Sequence, residues 1–260
     1  MQRIVKDLKK YMLFSFVSAK SQLKAEVANS YLNWLWWILE PLCFMFIYAF
    51  IFGVVFQAGE ENFSIFIYIG ITVWDFFNRM ATVSVKLIRN NKGIVSKVYL
   101  PKYILLLTKV WINGFKMLIS FGIIAGMMLL YQIPLTWNVL LIVPVILILM
   151  FFSFGVGTFL MHFGVFLDDL SNLVSIGLKI LFYMTGIFYN VSARVPAPYG
   201  EILEKINPLA FLVESARNVL LYGQAPNLIW LTFWGIISLL ITYWGLLTIY
   251  KNENSYVKVL

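Results

Sequence analysis

Charge is what this sequence has least of. Only 12% of its 260 residues are Asp, Glu, Lys or Arg, and 61% are hydrophobic, where a soluble domain carries about 25% charged and about 45–50% apolar residues. A water-soluble core of this size cannot hide so much apolar surface, so lipid has to be the solvent for much of the chain. Cysteine and histidine occur once each, as Cys43 and His162, both inside apolar runs. A single cysteine excludes an intrachain disulfide, and Cys43 reads as a small buried core residue. One imidazole without a thiol or carboxylate cluster nearby makes a poor metal site, and it rules out Ser/His/Asp, Cys/His and HExxH arrangements. No GxxxxGK[ST] phosphate loop is present, so ATP is not held by that route. These absences argue against an enzyme, and no cofactor is expected in this chain.

What is present is greasy and punctuated. About 20 apolar residues cross a bilayer of roughly 30 Å. Six stretches qualify, near residues 32–56, 63–87, 104–131, 139–167, 173–189 and 228–250, the last without any charge. Lysine and arginine crowd one set of flanks: thirteen lie in residues 1–28, 86–102 and after Tyr250, against three in the opposite set. Basic flanks stay in the cytoplasm, so both termini are expected inside, with an even number of spans. The net charge of +8 therefore points to a membrane surface and not to nucleic acid. In residues 1–28, Ile4, Leu8, Met12 and Phe16 recur every four positions among lysines. That pattern reads as an amphipathic helix on the inner leaflet and not as a cleavable leader. Residues 190–227 are long for an outer loop but only partly polar, which predicts short helices dipping into the outer leaflet. The expected fold is an all-α membrane protein: an interfacial helix over residues 1–28, then a six-span domain over 29–260 with an inner coupling loop at 88–103 and the outer helical segment at 190–227.

Charges inside spans are rare and mark pairs or water-filled paths. Glu40 sits beside Pro41 in the first span, and Asp75 and Arg79 lie four apart in the second, hence on one helix face, where they neutralise each other. Lys109 can reach back to the inner interface, whereas Lys116 and Lys179 sit deeper and are expected to face protein or a polar cavity. Trp34, Trp36 and Trp37 open the first span, which continues through Phe44 and Tyr48. Such aromatics are either headgroup anchors or apolar faces for sugar rings. Gly122 and Gly126 form one GxxxG, a weak signal of close helix packing. The inner loop LIRNNKGIVSKVYLPKY, residues 87–103, mixes cations with Ile94, Val95, Val98 and Leu100. A solvated loop needs no such apolar set, and a short helix presenting it to a soluble partner fits.

Four segments carry a family resemblance: YLNWLWWILEPL (31–42), YIGITVWDFFNR (68–79), NNKGIVSKVYLPK (90–102) and NPLAFLVESARNVLLYG (207–223). In this order and spacing the chain resembles the type-2 ABC export permeases, specifically those for lipid-linked polysaccharides such as O-antigen and teichoic acid. It departs at Asp168-Asp169, where the family usually has Arg-Asp, and at Leu32-Asn33, where Leu-Gly is usual. The resemblance implies a homodimer of this chain with two copies of a separate ATPase that binds ATP and magnesium. It implies that Asn91, Lys92, Gly93, Ile94, Lys97, Val98, Pro101 and Lys102 receive the ATPase movement. It further implies that Lys20, Lys24 and Arg89 meet the diphosphate of a polyprenyl-linked cargo, and that Trp34, Trp37, Phe44 and Tyr48 line the sugar path. The rival readings are a permease for a small molecule such as a drug or haem, and an ion-coupled transporter acting alone through Asp75, Arg79 and Lys116.

Overall fold

The computed structural model describes residues 2–28, 31–56, 60, 62–95 and 99–259. Among them all regular structure is helical. Helix α1 is Gln2–Ala28. After a 3-10 turn at Asn33–Leu35, α2 runs over Trp36–Tyr48 and widens into a π-helical stretch at Ala49–Val55. Then come α3 (Phe63–Val85), the short α4 (Leu87–Asn90) and α5 (Lys92–Val95), and α6 (Tyr103–Leu130). A 3-10 turn at Trp137–Leu141 leads into α7 (Ile142–Phe166), followed by α8 (Leu170–Met184). Residues 190–227 hold α9 (Val191–Arg194), α10 (Tyr199–Ile206) and α11 (Pro208–Leu220). Helix α12 (Leu228–Lys251) and α13 (Glu253–Val259) close the described chain.

Among the described residues, four stretches are long and apolar enough to cross a bilayer: Trp36–Val55, Tyr103–Leu130, Trp137–Phe166 and Leu228–Lys251. The molecule is a multi-pass membrane protein. Two expected spans differ from these four. Helix α3 is about 34 Å long but carries Asp75, Asn78 and Arg79. Helix α8 ends at Met184 rather than near Tyr189, because Gly186 turns the chain with φ +69°, a conformation open to glycine.

Helix α3 is the centre of the bundle. It packs against α2, α6, α7, α8 and α11, and most of its side chains are buried. Its neighbour α7 packs along α12 over a seam of small residues. A Cβ at Gly155 meets the backbone of Thr242, one at Gly245 meets Thr158, and one at Gly164 meets the carbonyl of Val85 on α3. The expected GxxxG does not take part: nothing lies near a Cβ at Gly122 or Gly126, which face outward. Cys43 is exposed rather than a core residue. Pro41 and Met45 are the inward positions of α2, and Cys43 lies about 200° around the helix from each.

Residues 190–227 are largely helical, as their half-apolar composition predicts. Asn207 caps α11 by accepting from the N–H groups of Leu209 and Ala210, with Pro208 at the first helical position, where a missing N–H costs nothing. Arg217 of α11 is 1% exposed. It donates to the carbonyls of Phe66, Gly186 and Ile187 at 3.2, 2.9 and 2.8 Å, and its guanidinium lies 3.4 Å from the Phe66 ring centroid. One side chain thus ties α11 to α3 and to the turn after α8.

Candidate functional site

Charged side chains converge between α1, α2, α3 and α6. The cleft there has a volume of about 560 Å³ and holds three carboxylates, Glu26, Glu40 and Asp75, against three cations, Arg79, Lys109 and Lys116. Helix α3 supplies Asp75, Asn78, Arg79 and Thr82, all on one side at spacings of three and four. Arg79 lies 3.3 Å from Glu40 and 3.9 Å from Asp75, so the partner that the carboxylate beside Pro41 needs comes from α3. The i,i+4 pair on α3 is in place but looser than the bond to α2. Lys116 is 2.6 Å from Glu26 and 5.8 Å from the Trp37 ring. About two turns before Lys116 on α6, Lys109 donates to Gln22 at 2.7 Å.

These bonds place α1 along α6. Its inward face is Ser15, Ala19 and Gln22, with the Trp111 indole donating to Ser15 at 3.3 Å. The apolar positions Met12, Leu13, Phe16 and Val17 stay exposed.

A second cleft of about 560 Å³ adjoins the first and shares Trp74, Asn78, Thr82 and Phe182 with it. Its far wall is α8, where Ser171, Ser175, Lys179 and Tyr183 recur every four residues. Aromatic faces border both spaces. Tyr48 stacks on Phe44 at 6.1 Å and meets Phe188 at 4.8 Å, and Trp74 sits edge-on to Phe182 at 5.4 Å. Hydroxyls, amides and paired charges next to aromatic faces suit a ligand rich in hydroxyl groups. Among the described residues no group of His, Cys, Asp or Glu has the makings of a metal site.

The residues singled out in the sequence separate into three sets. Glu40, Asp75, Arg79 and Lys116 meet in the first cleft, with Phe44 and Tyr48, and Lys179 lines the second. Trp37 lines a smaller neighbouring pocket of about 60 Å³ with Glu40, Asp75, Arg79 and Lys116 and packs edge-on to Phe115, while Trp34 is exposed away from the cleft lining. Lys20 and Lys24 are exposed on α1. Arg89 is bound instead to Asp168 and to the carbonyl of Val165, so the Asp-Asp departure leaves Asp168 with a cation from α4. Of the loop residues, Lys92, Gly93 and Ile94 are exposed and Asn91 donates to the carbonyl of Leu87. Pro101 and Lys102 are buried, and Lys97 and Val98 lie outside the described residues. Sequence reasoning missed Gln22, Glu26, Asn78, Asn113 and Phe182. The four-residue stripe on α8 was open to reading, as was Glu26, a carboxylate in a helix of lysines.

The ABC-2 type transporter family model matches residues 15–221. The chain belongs to the ABC-2 type transporter family. This ABC-2 chain is 28% identical over 245 residues to an O-antigen export system permease protein, RfbA, of Klebsiella pneumoniae, covering 94% of this chain and 93% of the relative. It is 26% identical over 227 residues to RfbA of Myxococcus xanthus, covering 87% of each. It is 24% identical over 253 residues to the polysialic acid transport protein KpsM of Escherichia coli, covering 90% of each. The role is transport, and the charged cleft lies within the matched stretch.

Proposed function

We propose that this chain is the permease subunit of an ATP-driven exporter that moves a polyprenyl-diphosphate-linked polysaccharide out across the cytoplasmic membrane. The carrying observation is the pair of adjoining clefts along α3, lined with hydroxyls, amides, charged side chains and aromatic faces, in a chain whose ABC-2 relatives are named for O-antigen and polysialic acid transport. In this reading α2, α3, α6, α7, α8 and α12 are the six spans. Both termini are cytoplasmic, with the basic flanks on that side, and α1 lies at the inner leaflet with its exposed apolar side in lipid. Two copies of the chain pair, and two copies of a separate ATPase supply ATP and magnesium from below. The exposed turn at Lys92–Ile94 is the surface that this ATPase meets, and Lys20 and Lys24 stand where a diphosphate head enters.

The experiment is purification of the tagged chain from its own cells, followed by reconstitution in vesicles. The expected result is a co-purified ATPase whose hydrolysis rises with undecaprenyl-diphosphate-linked oligosaccharide. Stimulation by hydrophobic drugs or haem but not by the lipid-linked sugar assigns the complex to small-molecule export instead. Uptake by the chain alone, with no ATPase present, overturns the reading.

A further inference from the structure

The inner end of the bundle holds a second polar cluster, which the clefts do not reach. Lys102 is 3% exposed, and its ammonium lies 3.6 Å from Glu253 Oε1. The other carboxylate oxygen of Glu253 accepts from the Tyr99 hydroxyl at 3.2 Å. Glu253 opens α13. Three residues on, Tyr256 is fully buried, with its hydroxyl 2.8 Å from His162 Nδ1 of α7 and its ring against His162 and Phe166. Just before α13, the Tyr250 hydroxyl donates to Asp7 of α1 at 2.6 Å and lies 3.4 Å from the Tyr103 hydroxyl.

Pro101 and Lys102, at the end of the inner loop, are buried. They are held from behind by the carboxy-terminal helix. A buried carboxylate gripped by an ammonium and a phenol is costly to separate, because either half alone is left uncompensated in a poorly solvated place. Helix α13 is in turn packed on α7 and joined to α12, two helices that meet closely over Gly155 and Gly245. Lys102 is thus connected through α13 to α7 and α12.

We propose that Glu253 is a positioning residue that joins the inner loop to the carboxy-terminal helix, so that force applied at Lys92–Ile94 reaches α7 and α12 through α13. The source of that force rests on the exporter reading above. The joint itself does not.

The test uses the full chain with its co-purified ATPase in nanodiscs, and compares hydrogen exchange before and after trapping ATP with vanadate. In the wild type, trapping is expected to change exchange in residues 87–95 and 252–259 together. In E253Q the loop still responds, but the response of 252–259 falls by about tenfold, the loss expected when a charge-assisted contact is removed. Y256F keeps the tail ring in place and weakens the response of α7 alone, which also covers the case of an E253Q chain that does not fold. A tail that responds in E253Q as in the wild type overturns the proposal, as does a wild-type tail that never responds. If no ATPase accompanies the wild-type chain, the exporter reading fails by itself. The joint is then decided on the chain alone: E253Q must raise exchange at residues 99–106 and 252–259 together, and a rise at one end only, or at neither, overturns it.

Discussion

Helices α3 and α12 solve opposite problems. Helix α12 carries no charge from Leu228 to Tyr250, yet only 17% of its most apolar window is buried. Ile229, Ile236, Leu239, Leu240 and Trp244 all point outward. Helix α3 carries Asp75, Asn78 and Arg79, yet it is the most enclosed of the long helices, with Ile65, Phe66, Ile67, Tyr68 and Ile69 at or near zero exposure. In water this arrangement would be inside out. In lipid, apolar surface gains nothing by leaving the solvent, and helices associate through close packing and internal polar bonds. The polar helix therefore belongs in the middle and the greasy one at the rim.

The largest effect should come from the polar bond that holds the centre together. Arg217→Ala removes the donor to three carbonyls around α3 and the turn at Gly186. It is expected to cost about 3–5 kcal/mol, the range for breaking a buried, fully partnered charge. Arg217→Lys should recover little, since a single ammonium does not reproduce the planar fork of donors. Thermal unfolding of the detergent-purified variants measures both, and a wild-type melting temperature for Arg217→Ala would show that α11 is not anchored through this side chain.

Close packing comes next, and one substitution made in two places separates it from composition. Gly164→Ala forces a methyl into the Val85 carbonyl between α7 and α3 and should cost about 1–3 kcal/mol as overpacking. Gly122→Ala meets nothing, and should be neutral or stabilising by about 1 kcal/mol through helix propensity. Equal losses at the two sites would mean that Gly122 is covered by another chain. A smaller effect is expected in the cleft. Lys116→Met leaves Glu26 without its 2.6 Å partner, and Glu26→Gln added to it should restore part of the loss, a coupling of about 1 kcal/mol in a double-mutant cycle. Additive losses would show that the two side chains do not depend on each other.

These three sites differ in how far the sequence reveals them. Composition alone announces a helical membrane protein, and the apolar runs mark α2, α6, α7 and α12 to within a few residues. The i,i+4 spacing of Asp75 and Arg79 and the lone Lys116 single out side chains that the fold brings into one cleft. Their partners are harder to read. Glu26 and Gln22 reach the cleft only because α1 lies along α6, and Glu40 meets Arg79 across 39 positions of sequence; no local pattern encodes either approach. The GxxxG at Gly122 misleads because the motif records small side chains and not which face is covered, whereas the glycines that matter on α7 and α12 sit in no such motif. Lys102 looks like one more cation of an exposed loop until Glu253, from the far end of the chain, is placed against it.

The smallest expected effect tests the comparison most directly. Leu240 of α12 is 52% exposed and Ile69 of α3 is fully buried. In a soluble protein, truncating a half-exposed leucine and a core isoleucine would both lose apolar burial, in proportion to the area removed. In lipid the Leu240 side chain keeps the same apolar surroundings whether or not the bundle is assembled, so Leu240→Ala should change stability by less than about 0.5 kcal/mol. Ile69→Ala opens a cavity among packed neighbours and should cost about 2–5 kcal/mol. Both are read from thermal unfolding in nanodiscs at low protein concentration. A loss at Leu240 approaching that at Ile69 would mean that protein, not lipid, covers this side of α12. A second copy of the chain would then be the first candidate, and repeating the scan at Ile236 and Trp244 would trace how far the covered strip extends.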